Sequence, residues 1–242
     1  MPQKGFIMKI AAIVAHPDDA ETYCGGTLIK YRRLGHEVTI IHATTGDKGY
    51  HDMEPSLRKT IRVKEAINAG LLTDITVRCL GLPDGEVTDT LENRTLVQDA
   101  IRLAAPDVIF THNQTDYHPD HVALSRLVID ASFTATVPLC VSQEKYVDKI
   151  PQIFFIDTYT GIGFEPEEYV DITDTFEEKC AMLSCHKTQV EWLMQHDNLD
   201  LINYINICAQ YRGFACGAKY AEGFVRYRAA LRANAGNYLP TL

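Results

Sequence analysis

Short apolar runs alternate with longer stretches of helical period through the first two thirds of the chain. Residues 8–15 and 37–43 are rich in Ile, Val and Ala or Thr and read as strands. A helical stretch, 22–34, lies between them and is closed by Gly35. Residues 44–55 are polar, carry Gly46 and Gly49, and read as a loop. The alternation continues with a helix at 56–69, a strand at 75–80 ended by the turn Pro83-Asp84-Gly85, and a helix at 90–104 broken by Pro106. A strand at 108–111, a helix at 122–131 and a strand at 153–157 follow. Strands spaced by helices of this length predict right-handed βαβ units, hence a Rossmann-like α/β fold with a mainly parallel sheet flanked by helices. After about residue 172 the pattern becomes helical: 172–185, 186–195, 199–211 and 220–231 all read as helix. No Pro/Gly/Ser linker separates the two regions. The expectation is a single domain over 1–242, with an α/β core to about 171 and a helical tail, 172–242, packed on it.

Two turns in this pattern carry chemistry. The first strand runs into His16-Pro17-Asp18-Asp19-Ala20-Glu21, which places one imidazole and three carboxylates in six residues. Carboxylates so close repel one another, and a turn alone would be served by Gly, Asn or Ser. Either the loop is a solvated acidic one or a cation sits there, and a divalent metal is the economical candidate. The strand at 108–111 is followed by His118-Pro119-Asp120-His121. Pro119 suits the first position of a helix, which places His118 at the cap and His121 on the same side one turn later. Read alone, this is a helix start with two solvent-facing imidazoles. Both turns lie at the carboxyl end of a strand, where open α/β sheets place ligands.

Composition narrows the possibilities. A chain of 242 residues that is 46% hydrophobic can bury a sizeable core. A formal net charge of −9 disfavours nucleic acid or an anionic membrane as the main partner. The seven cysteines are scattered and read as small apolar residues, not as a disulfide framework. The apolar run after Lys9 is too short for a signal peptide, and nothing reaches the length of a membrane span, so the expected location is the cytoplasm. No G-x-G-x-x-G follows the first strand, and acidic side chains there would repel a pyrophosphate, which argues against a dinucleotide. No G-x-S-x-G elbow is present for a serine hydrolase.

The residues Ala15-His16-Pro17-Asp18-Asp19-Ala20-Glu21, then Gly25-Gly26-Thr27, with His118-Pro119-Asp120-His121 downstream, resemble the LmbE/PIG-L family of metal-dependent N-acetylglucosaminyl deacetylases. Thr45-Gly46-Asp47, Arg62-x-x-Glu65-Ala66 and Gly81-Leu82-Pro83-Asp84-Gly85 are similar to further family motifs, with Asp47 where many members have Glu. The stretch from Tyr169 to Gln189 resembles a segment of longer members.

The resemblance implies a site. His16, Asp19 and His121 would be the metal ligands, with water completing an open zinc site, although iron or manganese also suits the donor set. Asp18 would be the general base; its other reading is a carboxylate favoured at a helix start. His118 would stabilise the oxyanion or protonate the leaving amine. Asp120 would fix a histidine tautomer, and Glu21 would support the helix start. Arg62 would reach substrate, or else pair with Glu65 on a solvated face. His186 would approach substrate from the tail, or else be an exposed helix histidine. His36, His42, His51, His112 and His196 are given no role.

The implied function is hydrolysis of the N-acetyl group of an N-acetylated amino sugar or small glycoconjugate, with a small-molecule amino sugar as partner and a homo-oligomer possible. The alternatives are a sugar-sensing or metal-binding protein without catalysis, a hydrolase of a non-acetyl amide, and an iron(II) oxygenase built on the same two histidines and one carboxylate.

Overall fold

The computed structural model describes residues 7–49, 53–230, 232 and 236–240, so His51 and Leu231 lie outside the described residues. Strands β1 (Lys9–Val14), β2 (Glu37–Thr44), β3 (Thr76–Leu82), β4 (Val108–Thr111), β5 (Gln152–Phe155), β6 (Glu168–Asp171) and β7 (Ala221–Arg226) form one sheet of order β3-β2-β1-β4-β5-β7-β6. The first five are parallel, and β7 runs antiparallel between β5 and β6. The strand order reverses between β1 and β4, which opens a crevice at their carboxyl ends.

Alternation along β1 divides the core. Ile10, Ala12 and Val14 face one layer, with Leu28, Ile29, Tyr31 and Met182. Ala11 and Ile13 face the other, with Val97, Ile101, Leu124 and Val128. Because helices cover both faces, the central strands read as unbroken apolar runs. The helices are α1 (Asp19–Tyr23), α2 (Gly25–Arg33), α3 (Pro55–Thr73), α4 (Leu91–Ala104), α5 (Pro119–Thr134), α6 (Phe176–Leu183), α7 (Lys187–Asp197) and α8 (Leu201–Cys216). No helix among the described residues is long and apolar enough to cross a membrane.

Two expectations are corrected. The helix expected over 22–34 is two helices, broken at Cys24, where φ is −141°. The break frees the N-terminus of α2, and the Glu222 carboxylate accepts from Gly26 N at 3.0 Å and Thr27 N at 2.8 Å. A side-chain anion thus fills the place at a helix start where donors are unpaired. Gly26 is required there, since a Cβ would lie 2.8 Å from Ile172.

The tail is the second correction. Three of its four expected helices form, but the described part of 220–231 contains β7 in place of a helix. Ala221, Phe224 and Val225 fit either period, and the free edge of β5 decides between them by offering a ladder. Gly223 permits the close approach of Pro166, whose ring would meet an added Cβ at 2.6 Å. The strand β6 was also unforeseen; it pairs with β7 over four residues.

Candidate active site

The turn after β1 and the cap of α5 meet over the crevice. Asp18 stands at φ 104°, a left-handed conformation that costs a non-glycine residue energy and that sends neighbouring side chains apart. Asp18 turns toward α3, where Arg62 Nη2 donates to its Oδ1 at 3.0 Å. Asp19 turns toward the histidines. Its Oδ2 lies 3.3 Å from His16 Nδ1 and 3.5 Å from His121 Nε2, and it also accepts from His16 N at 2.7 Å. His16 and His121, 105 positions apart along the chain (121 − 16 = 105), thereby share one oxygen atom as neighbour.

The outward nitrogen of each histidine faces a carboxylate. His16 Nε2 is 3.1 Å from Asp120 Oδ2 and 3.2 Å from Asp84 Oδ1. His121 Nδ1 is 3.3 Å from Asp116 Oδ2. This arrangement fixes which nitrogen points inward and raises its basicity, as around metal-bound imidazoles. Ligand atoms at about 2.1 Å from a tetrahedral ion lie roughly 3.4 Å apart, close to the 3.3 and 3.5 Å separations of Asp19 Oδ2 from the two histidines. Those two separations suit a divalent ion. Among the described residues, the groups whose ligand atoms all lie within 4.8 Å of one another are His16, His118 and His121; Asp19, His112 and His121; and His16, Asp84 and Asp120. His112 also approaches Asp19 Oδ2, at 3.3 Å, but its Nε2 accepts from Ala15 N at 2.9 Å, so its lone pair is engaged. Its ring stacks on His121 with centroids 3.7 Å apart and holds that ring in place.

Electrostatics separates the two adjacent aspartates. Burial, opposed by the Arg62 guanidinium, pushes the Asp18 carboxyl up to about 6. Asp19 is held well below the usual carboxylate range, because His121 and His112 outweigh the effect of burial. One carboxyl is thus poised to exchange a proton near neutrality and its neighbour is fixed as an anion.

The sequence-predicted residues divide clearly. His16, Asp18, Asp19, Arg62, His118 and His121 all line a cavity of about 480 Å³. Asp120 lies beneath it and accepts from Gly85 N at 2.7 Å and Val87 N at 3.1 Å besides facing His16. Arg62 does not pair with Glu65: its guanidinium donates to Gly46 O, Pro17 O and Asp18, and Glu65 binds Thr188. His186 corrects both expectations for it. It is fully buried, 3.0 Å from Glu21 Oε1, and is not among the residues lining the cavity.

Three residues given no role at the sequence level belong to the site. Asp84 had been read only as a turn residue, Asp116 lies two positions before His118, and His112 directly follows the apolar run of β4. The position of Asp116 and His112 at a strand's carboxyl end was the available signal.

Imidazoles and carboxylates gathered beside a second, buried aspartate suit the cleavage of an amide by water, and the class is that of the amide hydrolases. The family follows from the chain itself: residues 11–132 match PIG-L, GlcNAc-PI de-N-acetylase, and the chain belongs to that family. A diacetylchitobiose deacetylase of Thermococcus kodakarensis is 28% identical over 230 residues, covering 90% of this chain and 82% of its own. The N,N'-diacetylchitobiose deacetylase of Pyrococcus horikoshii, solved with an inhibitor, superposes with a TM-score of 0.78 at 24% identity, covering 91% of this chain and 84% of that one. A 4-carboxy-2-hydroxymuconate hydratase of Pseudomonas putida KT2440 superposes with a TM-score of 0.79 at 21% identity, covering 95% of this chain and all of that one. Likeness at that level establishes the fold and leaves the reaction to the site.

Proposed function

We propose that the protein removes the N-acetyl group from a small N-acetylated amino sugar, with His16, Asp19 and His121 holding a divalent ion, zinc being the metal that best suits two imidazoles and a carboxylate. The observation that carries this reading is the convergence of both histidines on Asp19 Oδ2, each backed by its own carboxylate. When bound, the ion polarises the amide carbonyl and lowers the pKa of a water molecule.

The remaining work falls to the chain. Asp18 takes the proton as water attacks, and Arg62 holds the Asp18 carboxylate from one side so that its orientation is set before substrate arrives. His118 caps α5: its Nδ1 accepts from Asp120 N at 3.2 Å. A neutral ring with an accepting Nδ1 carries its proton on Nε2. That Nε2–H is the donor for the oxyanion, so the His118 role is hydrogen-bond stabilisation of developing charge. Asp18, once protonated, returns its proton to the departing amine.

The test pairs metal analysis with acetate release from N-acetylglucosamine derivatives. One equivalent of divalent metal, loss of acetate release on chelation and its return with zinc are expected. Asp18→Asn is expected to keep the metal and lose about 10³-fold in kcat. A metal-free purified protein that still releases acetate, or full turnover by Asp18→Asn, would overturn the assignment.

A further inference from the structure

A groove along the last turns of α5 lies apart from the metal cavity. It encloses about 420 Å³ and shares no lining residue with that cavity. Phe133, in its wall, lies twelve residues along α5 from His121 (133 − 121 = 12), roughly 18 Å at the rise of a helix. Ile129 and Phe133 on α5, Ile150 just before β5 and Tyr227 just after β7 make its walls apolar. Phe133 is 50% exposed, so a large aromatic face stands open to solvent there.

Two guanidinium groups line the same groove, and neither has a carboxylate. Arg232 is only 4% exposed. Its Nη1 donates to Pro151 O at 2.6 Å and its Nη2 to Ser132 Oγ at 2.7 Å. Both acceptors are neutral, and three of the five N–H groups of the fork remain undonated. The guanidinium lies 5.6 Å from the centroid of the Tyr227 ring. Burial pulls the Arg232 pKa down from its usual value, with Tyr227 opposing and no carboxylate among the described residues contributing. Buried charges are ordinarily paired, and this one is balanced by dipoles alone. Arg94, half-buried near the start of α4, makes no ion pair or side-chain hydrogen bond among the described residues. Asp130 is the one carboxylate among the described lining residues, and Arg126 Nε donates to it at 3.1 Å. The local balance is thus positive in a chain whose formal net charge is −9.

We propose that this groove is a second ligand site, for a small carboxylate carried on an aromatic or branched apolar body. Arg232 and Arg94 take the carboxylate, since a guanidinium fork matches its two oxygens. Ile129, Phe133 and Ile150 pack against the body. The bound anion supplies the counter-charge that the fold withholds from Arg232, and the low accessibility of that group strengthens the attraction. Asp130 in the same lining favours a single negative charge over a phosphate dianion. The site takes no part in amide cleavage and goes beyond the deacetylase reading.

Calorimetric titration with 2-naphthoate and with its neutral isostere 2-naphthamide tests this, on zinc-loaded and on chelator-treated protein. One equivalent of 2-naphthoate should bind to the chelator-treated protein, about tenfold more tightly than 2-naphthamide, and the same site should persist when zinc is present. That persistence separates it from carboxylate binding at a metal. Arg94→Gln should weaken 2-naphthoate about tenfold and leave 2-naphthamide unchanged. Phe133→Ser should weaken both probes alike. Equal affinities for the two probes, an unchanged affinity in Arg94→Gln, loss of the site on chelation, or no binding up to about 10 mM each overturns the proposal. No step of the test uses turnover, so its outcome is independent of the deacetylase reading.

Discussion

Arg62 Nη2 donates to Asp18 Oδ1 at 3.0 Å, and both side chains are nearly inaccessible to solvent. The same guanidinium also donates to the Pro17 and Gly46 carbonyls, so it ties the turn after β1 to the loop after β2. Gly46 allows this approach, since a Cβ there would lie 2.6 Å from Arg62 Cζ. If Asp18 acts as the proposed base, Arg62→Ala is expected to lower kcat about 100-fold with metal content unchanged, because that carboxylate loses its orienting partner. Arg62→Lys should fall between the two, since an ammonium lacks the planar fork that reaches three acceptors. Steady-state kinetics with metal analysis on both variants measures this.

Acid sensitivity should trace in part to His42. The side chain is buried in β2, and neither ring nitrogen has a hydrogen-bond partner among the described residues. Burial pushes its pKa down to about 4, with Glu21 and Asp19 opposing the shift and His186 and Arg62 adding to it. In the unfolded chain the imidazole titrates near ~6.5. Between these values the unfolded state binds a proton that the folded state refuses. Stability from this group is therefore full above about pH 6.5 and is lost as pH falls toward 4, by about 3 kcal/mol in total. His42→Leu should flatten that part of the curve, measured by urea unfolding at pH 7, 6 and 5.

Glu65 controls the placement of α7 through Thr188. Glu65→Ala should cost about 2 kcal/mol, since hydrogen bonds to a buried charge are lost at both Thr188 N and Thr188 Oγ1. The α7 amides should exchange faster with solvent while those of β1 and β4 do not. Thermal unfolding and hydrogen exchange together separate this local loosening from general destabilisation.

Lys179 and Glu222 form a buried ion pair at 2.5 Å, each side chain 3% exposed. Glu222→Gln keeps the shape but leaves the ammonium without its counter-charge, and is expected to cost about 3–5 kcal/mol. A fall in the midpoint of denaturant unfolding, with unchanged slope, is the expected readout.

The legibility of these features in the sequence follows their physics. The strands β1 and β4 stand out because a parallel strand covered on both faces is apolar at consecutive positions, as in 10–14 and 108–110. The turns after them stand out because clustered carboxylates and imidazoles have no reason to be together unless something binds them. His186 was misjudged because sequence periodicity reports which face of a helix is apolar, and His186 lies just before α7, where no face is defined. Its burial depends on Glu21, 165 positions earlier (186 − 21 = 165), and no local pattern encodes that pairing. Asp84 and Asp116 were missed for a similar reason. Each sits in a turn with an ordinary local explanation, and only the folded crevice brings them to His16 and His121. The strand β7 was read as helix because six residues containing one glycine satisfy either period, and the sheet edge that selects between them is distant in sequence.

The place of β7 has a consequence for how the chain reaches its final state. The residues of β6 leave the ribosome about fifty positions ahead of the strand they pair with, since β6 ends at Asp171 and β7 begins at Ala221. Until then Lys179 lacks its anion and the first turn of α2 lacks the carboxylate that closes it. Nascent chains arrested before residue 221 should therefore stay protease-sensitive across 168–183, and release of β7 should convert that whole stretch to resistance in one step.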